Sequence, residues 1–190
     1  MKYKIFSDIH LWAPHSLSTP LEYSPDCVYL GDIHDLKNTT KHDIPFAQIA
    51  QMKHNNFCSE KNIVNVRGNH DIDNTRPVII QRDNIIFTHG HYVCWEAKKI
   101  LKWELAIPEG IGSLKKFYLQ LKHEMPKGDW SPSSADWDRA FKLQEGASPL
   151  GVKPPSILVM GHTHTKNVVK YTKLGLTIIN VPRGMTVIDI

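Results

Sequence analysis

Lys2-Tyr3-Lys4-Ile5-Phe6-Ser7-Asp8-Ile9-His10 opens the chain with a β-type run that stops on a carboxylate and an imidazole. The same construction recurs four times. Cys27 to Leu30 leads into Gly31-Asp32 with Asp35 close behind, and Asn62 to Val66 leads towards Gly68-Asn69-His70-Asp71. Asn84 to Thr88 leads into His89-Gly90-His91, and Ile157 to Met160 into Gly161-His162-Thr163-His164. Short apolar runs ended by polar or glycine clusters read as buried strands that stop at a turn. In an α/β sheet the loops at the carboxyl ends of the strands converge on one rim, where ligands bind. Residues i and i+2 of extended backbone point the same way, so Asp8 with His10, and His162 with His164, are expected to face one site. The glycines beside them permit tight turns and close approach of the backbone.

Around these runs, the apolar pattern of Ile44, Ala47, Ile49, Ala50 and Met52 predicts a helix between Ile44 and Phe57. Val168 to Tyr171, Leu176 to Ile179 and Thr186 to Ile190, separated by turn residues, read as an antiparallel meander. Residues 92 to 155 differ from the rest, holding four of the five tryptophans and six of the twelve prolines. Within them Val93, Ala97, Ile100, Leu101 and Leu105 form one apolar stripe. Leu114, Phe117, Tyr118, Leu121 and Met125 form a second, with Ser113 placed to cap it. The expectation is a single α/β domain over residues 1–190 with a helical insertion at about 92–155.

At 190 residues, 41% hydrophobic and 22% charged, the composition is that of an ordinary globular chain. The net charge of +4 demands neither nucleic acid nor an anionic membrane. The insertion carries only +2, from ten Lys and Arg against eight Asp and Glu, so no strong nucleic-acid patch is expected. No run of about 18 apolar residues occurs, which excludes a membrane-spanning helix. Cys27, Cys58 and Cys94 show no paired short spacing; a disulfide framework or thiolate zinc site is not expected, and a cytoplasmic, reducing location is. Eleven histidines exceed average usage several-fold, and imidazole is the commonest metal ligand. Carboxylates and imidazoles without thiolates suit Mn, Fe or Zn over copper-thiolate or iron–sulfur chemistry; the mixture by itself does not pick one, and Mn is the ion expected. Two such ions roughly 3.5 to 4 Å apart suit phosphoryl chemistry.

The five clusters, in this order and at strand ends, resemble the motif series of the calcineurin-like metallophosphoesterases, among them the small bacterial and archaeal phosphodiesterases. The resemblance covers residues 1 to 91 and 156 to 190. It implies a four-layer α/β/β/α sandwich of two mixed β-sheets, with the helical insertion carried on it. It further implies two divalent metal ions, one bound by Asp8, His10 and His164, the other by Asn69, His89 and His162, with Asp32 bridging them. By the same likeness His70 stabilises the transition state or protonates the leaving oxygen, Asp71 orients its ring, and Asp35 supports the site without touching metal. The implied activity is hydrolysis of a phosphodiester or phosphomonoester, on a small molecule or nucleotide, by in-line attack of a two-metal-activated hydroxide. Two departures bear on the pocket rim and not on the ligands: Thr165-Lys166-Asn167 follows His164 where proline is usual, and Asn180-Val181-Pro182-Arg183-Gly184 replaces the usual Asn-Pro-Gly-Ser.

Other readings stand beside this one. His91 either meets substrate or serves a supporting role; His15, His34, His42, His54 and His123 are assigned to the surface or to local hydrogen bonding. Trp95, Lys99, Lys102 and Trp103 share a helical face that either receives a nucleobase or phosphorylated head group, or packs the insertion on the body, the second being favoured. Arg183 either grips phosphate or is an exposed turn arginine. A UDP-diacylglucosamine pyrophosphohydrolase-like enzyme with a lid is one rival, although such enzymes show Arg where His70 stands and Asp where His91 stands. A noncatalytic interaction scaffold, like the retromer subunit that resembles this fold, is the other.

Overall fold

Nine strands form two mixed sheets in the computed structural model, which describes residues 1–14, 16–71, 75–106, 110–112, 115, 118–119, 129–148 and 153–190. The strands are β1 (Lys2–Ser7), β2 (Cys27–Tyr29), β3 (Val64–Asn65), β4 (Ile79–Arg82) and β5 (Ile85–Thr88), then β6 (Ile157–Met160), β7 (Val169–Lys173), β8 (Leu176–Asn180) and β9 (Gly184–Asp189). The first sheet runs β3-β2-β1-β9 and the second β4-β5-β6-β8-β7. Helices among the described residues include α1 (Ile44–Glu60), α2 (His91–Cys94), α3 (Ala97–Glu104) and α4 (Ser134–Ala147).

Period-two alternation decides the layering. Tyr3, Ile5, Val28, Leu30 and Val64 of the first sheet face Ile85, Phe87, Val159 and Ile179 of the second in a core between the sheets, where Tyr3 meets Phe87 edge-on at 5.5 Å. The outer face of the first sheet, Phe6, Cys27 and Tyr29, packs with Cys58 of α1. The outer face of the second, Ile86, Leu158, Met160, Leu176 and Ile178, packs with Val93 of α2 and with Trp137 and Ala140 of α4. The result is the expected α/β/β/α sandwich. In it β1 and β2 run parallel, as do β2 with β3 and β5 with β6, so their carboxyl ends point one way.

The helix expected between Ile44 and Phe57 is present as α1, while other features differ from the sequence reading or lie beyond it. The last three strands are no meander: β7 and β8 pair antiparallel in the second sheet, but β9 crosses over and pairs antiparallel with β1. β4, an edge strand joined to β5 by a hairpin with Asp83 in left-handed conformation, was not read from the sequence. In α1 the apolar residues Ile49 and Met52 are 52% and 63% exposed, whereas Ala47, Gln51, His54 and Cys58 form the buried face. The helix turns this face inward because polar partners lie beneath it: Gln51 donates to Asp71, and His54 meets the Tyr23 hydroxyl at 2.9 Å. Of the stripe from Val93 to Leu105, only Val93 is buried. Most of the next stripe, Ser113, Leu114, Phe117, Leu121 and Met125, lies outside the described residues, as do His15 and His123.

The sequence reading also missed α4, whose start is marked by a reciprocal capping box between Ser133 and Asp136. Among the described residues, no helix is long and apolar enough to cross a membrane.

His34 and His54 are buried, not superficial. Burial, reinforced by His34 and Arg76, pushes His54 down to about 3 from its ordinary 6.5. The folded state therefore keeps this ring neutral while the unfolded chain takes up a proton once the pH drops below about 6.5. The unfolded state binds more protons in that window, so stability rises with pH between about 3 and 6.5 and is lost on acidification. Thermal melts at pH 7 and pH 4.5 are expected to show a smaller acid-induced fall in Tm for His54→Gln than for the unaltered chain. An equal fall in both would remove this role from His54.

Candidate metal centre

All seven expected ligands come together at the carboxyl ends of the strands. Asp8 and His10 follow β1, Asp32 follows β2, Asn69 follows β3, His89 follows β5, and His162 and His164 follow β6. Three overlapping groups result, each with ligand atoms within 4.8 Å of one another: Asp8, His10 and His164; Asp8, Asp32, His89 and His162; and His10, Asp32 and His70. His89 Nε2 lies 3.3 Å from Asp32 Oδ2, 3.1 Å from Asn69 Oδ1 and 3.1 Å from His162 Nδ1. Its Nδ1 donates a hydrogen bond to the Leu30 carbonyl at 2.6 Å, which turns Nε2 to the cluster.

The donor set fits divalent cations. Asp8 Oδ2 accepts from His162 N at 2.8 Å and from Ser7 Oγ, while Oδ1, buried, accepts no hydrogen bond. That oxygen instead faces His164 Nε2 at 3.3 Å and the Nε2 atoms of His10 and His89 at 4.0 Å each. A buried carboxylate oxygen ringed by imidazole nitrogens at these distances is an arrangement that can hold an oxygen- and nitrogen-binding metal.

Backbone conformation differs from the expected extended one. Asp8, His10, Asp32, His162 and His164 all have left-handed φ values, from 52° to 73°, and they make up five of the nine such non-glycine residues described. Convergence of the i and i+2 pairs thus comes from left-handed residues at both positions. Each is held in a sparsely populated region, of order 1 kcal/mol or more, by contacts elsewhere. The motif glycines supply some of those contacts. Gly31, itself at φ 87°, and Gly68 pack backbone to backbone, such that a Cβ on Gly31 would come within 2.4 Å of Gly68 N. A Cβ on Gly161 would stand 1.8 Å from Ser7 Oγ. These close approaches bring the motif loops of the two sheets near enough to share ligands.

Charge is concentrated here and balanced. Burial alone would raise the Asp8 carboxyl, yet His89, His164 and His10 hold it well below the usual range. Asp32 is likewise held down against its burial by His89, His70 and His10. Burial opposes protonation of His89, but Asp32 and Asp8 raise it to about 9. Burial and the neighbouring His89 push His162 well below its ordinary value.

His70 is oriented by Asp35, not by Asp71. Its Nδ1 lies 2.8 Å from Asp35 Oδ1, and Asn38 Nδ2 lies 2.9 Å from both His70 Nδ1 and Asp35 Oδ2. The other oxygen of Asp35 meets His10 Nδ1 at 3.0 Å, so one buried carboxylate sets two rings. Asp71 accepts instead from Gly68 N at 2.8 Å and Gln51 Nε2 at 3.0 Å and pairs with Arg76 at 2.9 Å, fixing the turn that presents Asn69. The expected contact of Asp71 with the His70 ring is thus corrected, because Asp35 and Asn38 fill that position. Asn38 was missed, although Asp35-x-x-Asn38, with Asn38 N donating to Asp35 Oδ1, is a turn signal. His91 is buried against His89 and His162, with ring centroids at 5.1 and 6.0 Å. Arg183 donates through Nε to the Asp8 carbonyl at 3.0 Å, tying the loop before β9 to the first motif.

An open cavity of about 480 Å³ lies over the cluster, lined by His10, Asp32, His70 and His162 together with Trp95 and Trp103. Both tryptophans also contact the body, Trp95 through the His162 ring at 4.8 Å and Trp103 through the His70 ring at 5.2 Å.

The sequence matches no protein-family model and no curated protein. Solved structures do match. Vacuolar protein sorting 29 of Cryptosporidium parvum is 14% identical, with 96% of this chain and 74% of that one covered at a TM-score of 0.44. A single mutant of the Entamoeba histolytica Vps29 is 14% identical, with 100% and 86% covered at 0.45. A conserved protein of Streptococcus pneumoniae TIGR4, described as a predicted phosphoesterase, is 15% identical, with 100% and 84% covered at 0.37; to these three chains this one is similar in fold.

Proposed function

We propose that the protein is a metal-dependent phosphoesterase of the calcineurin-like type, hydrolysing a phosphomonoester or phosphodiester. The observation that carries this reading is the meeting of Asp8, His10, Asp32, Asn69, His89, His162 and His164, drawn from five separate strand ends, around buried carboxylate oxygens. Two divalent ions held there, Mn, Fe or Zn, would lower the pKa of a bound water and neutralise charge on the phosphate oxygens. Asp8, His10 and His164 would hold one ion and Asn69, His89 and His162 the other, with Asp32 between the groups. His70, its Nδ1 committed to Asp35, turns Nε2 to the cavity and can give a proton to the leaving oxygen. Asp35 and Asn38 position that ring, and the buried flanks of the motif loops keep bulk water from the ligands.

The full chain, purified with Mn²⁺, is expected to hydrolyse p-nitrophenyl phosphate or its bis ester, to stop when a chelator is added, and to recover when Mn²⁺ returns. A chain that hydrolyses neither ester and carries no metal by elemental analysis would favour the noncatalytic scaffold.

A further inference from the structure

The first sheet ends in β9, whose outer rim is bare. Ile190 N donates to the Met1 carbonyl at 2.9 Å, so Met1 and Ile190 form a hydrogen-bonded pair beside the last rung of the β1–β9 ladder, Lys2 with Asp189. Bonded and non-bonded pairs alternate in an antiparallel ladder. Ile188 and Thr186 therefore bond to β1, while Asp189, Val187 and Met185 turn their N–H and C=O groups away from it. Lys4, opposite Val187, fits this phase, since its N–H goes the other way, to the Asp26 carbonyl at 2.9 Å. Among the described residues, no second strand or loop bonds to the backbone of Met185, Val187 or Asp189. Their side chains are exposed, Met185 by 45% and Val187 by 56%.

The other three sheet edges are guarded. β3 is two residues long, β4 is four and ends on Arg82, and β7 carries the exposed Lys170 and Lys173. Short strands and edge cations are the means by which proteins discourage a second strand from adding to a sheet. β9 has neither: its six residues, Gly184–Asp189, include no lysine, arginine or proline. We propose that β9 pairs antiparallel with β9 of a second copy of this chain, about a two-fold axis at Val187. In that register Val187 meets its own copy and Met185 meets Asp189 of the other chain, so every outward N–H and C=O gains a partner. The strand's one charge then faces a thioether and not its like, which is what makes β9 complementary to itself. Because paired copies of β9 run opposite ways, so do the two copies of β1, and the two ligand clusters open at opposite ends of the joined sheet. The proposal stands apart from the phosphoesterase reading.

Sedimentation of the full chain over a concentration series is expected to show the mass rise from one chain to two. Val187→Lys and Val187→Glu, each of which sets like charges opposite one another on the axis, are expected to sediment as single chains, whereas their equimolar mixture sediments as a pair. The Val187 side chain is exposed and its N–H is not bonded to β1, so both variants should melt close to the unaltered chain. Amide hydrogen exchange gives a readout that needs no variant: in the concentrated unaltered chain the amides of Met185, Val187 and Asp189 should exchange as slowly as those of Thr186 and Ile188. A chain that stays single at every concentration, a pair that survives in both charge variants, a mixture that fails to pair, or free exchange of the three outward amides in the concentrated chain would each overturn the proposal.

Discussion

Asp32→Asn is expected to release metal and abolish hydrolysis together. Asp32 Oδ1 accepts from His70 N at 2.8 Å while Oδ2 lies 3.3 Å from His89 Nε2, and the residue belongs to two of the three ligand groups. Asparagine keeps the shape and an oxygen for the His70 amide, but it removes the negative charge that would sit between the two proposed cations. Substituting an outer-shell partner of a metal site already lowers affinity or activity 10- to 100-fold, so loss of a shared ligand should exceed about 100-fold. Elemental analysis beside the ester assay checks this. Metal content and rate both equal to those of the unaltered chain would remove Asp32 from the centre.

His70→Ala should separate turnover from binding. The ring lies near the ligands, 4.9 Å from His10 between centroids, yet its Nδ1 is engaged by Asp35 and it is not among the seven proposed metal holders. Loss of a positioned acid or base typically lowers rate about 10²- to 10⁴-fold, so kcat should fall in that range with metal content unchanged. Asp35→Asn, which leaves His70 in place but weakens its orientation, should give a smaller loss of the same kind. If His70→Ala lost its metals too, His70 would be a ligand and the division of roles would fail.

The parts legible in the sequence were those written locally. A β run and a cluster of polar or charged side chains sit within about ten residues at each of Asp8, Asp32, His89 and His162, with a glycine beside the last three, so the strands and the residues that meet at their ends could be read. What depended on distant partners could not. The segment after Pro182 reads as a third hairpin strand, and only its pairing with β1 places it in the other sheet. The buried face of α1 is set by Tyr23 and Asp71 beneath it, which His54 and Gln51 meet, while Ile49 and Met52 stay exposed. Asp71 stands next to His70 in sequence and drew the expected contact, whereas Asp35 reaches the ring through the fold. Left-handed backbone at aspartate and histidine carries no periodic signal, so the way Asp8 and His10 converge was visible only in the structure.

The most direct measurement is calorimetric titration of the chelator-stripped full chain with Mn²⁺, repeated on Asp8→Ala. Uptake of two equivalents per chain, reduced in the variant, is the expected result. An unaltered chain that takes up no Mn²⁺, or the same amount as Asp8→Ala, would mean that these strand-end loops do not cage cations.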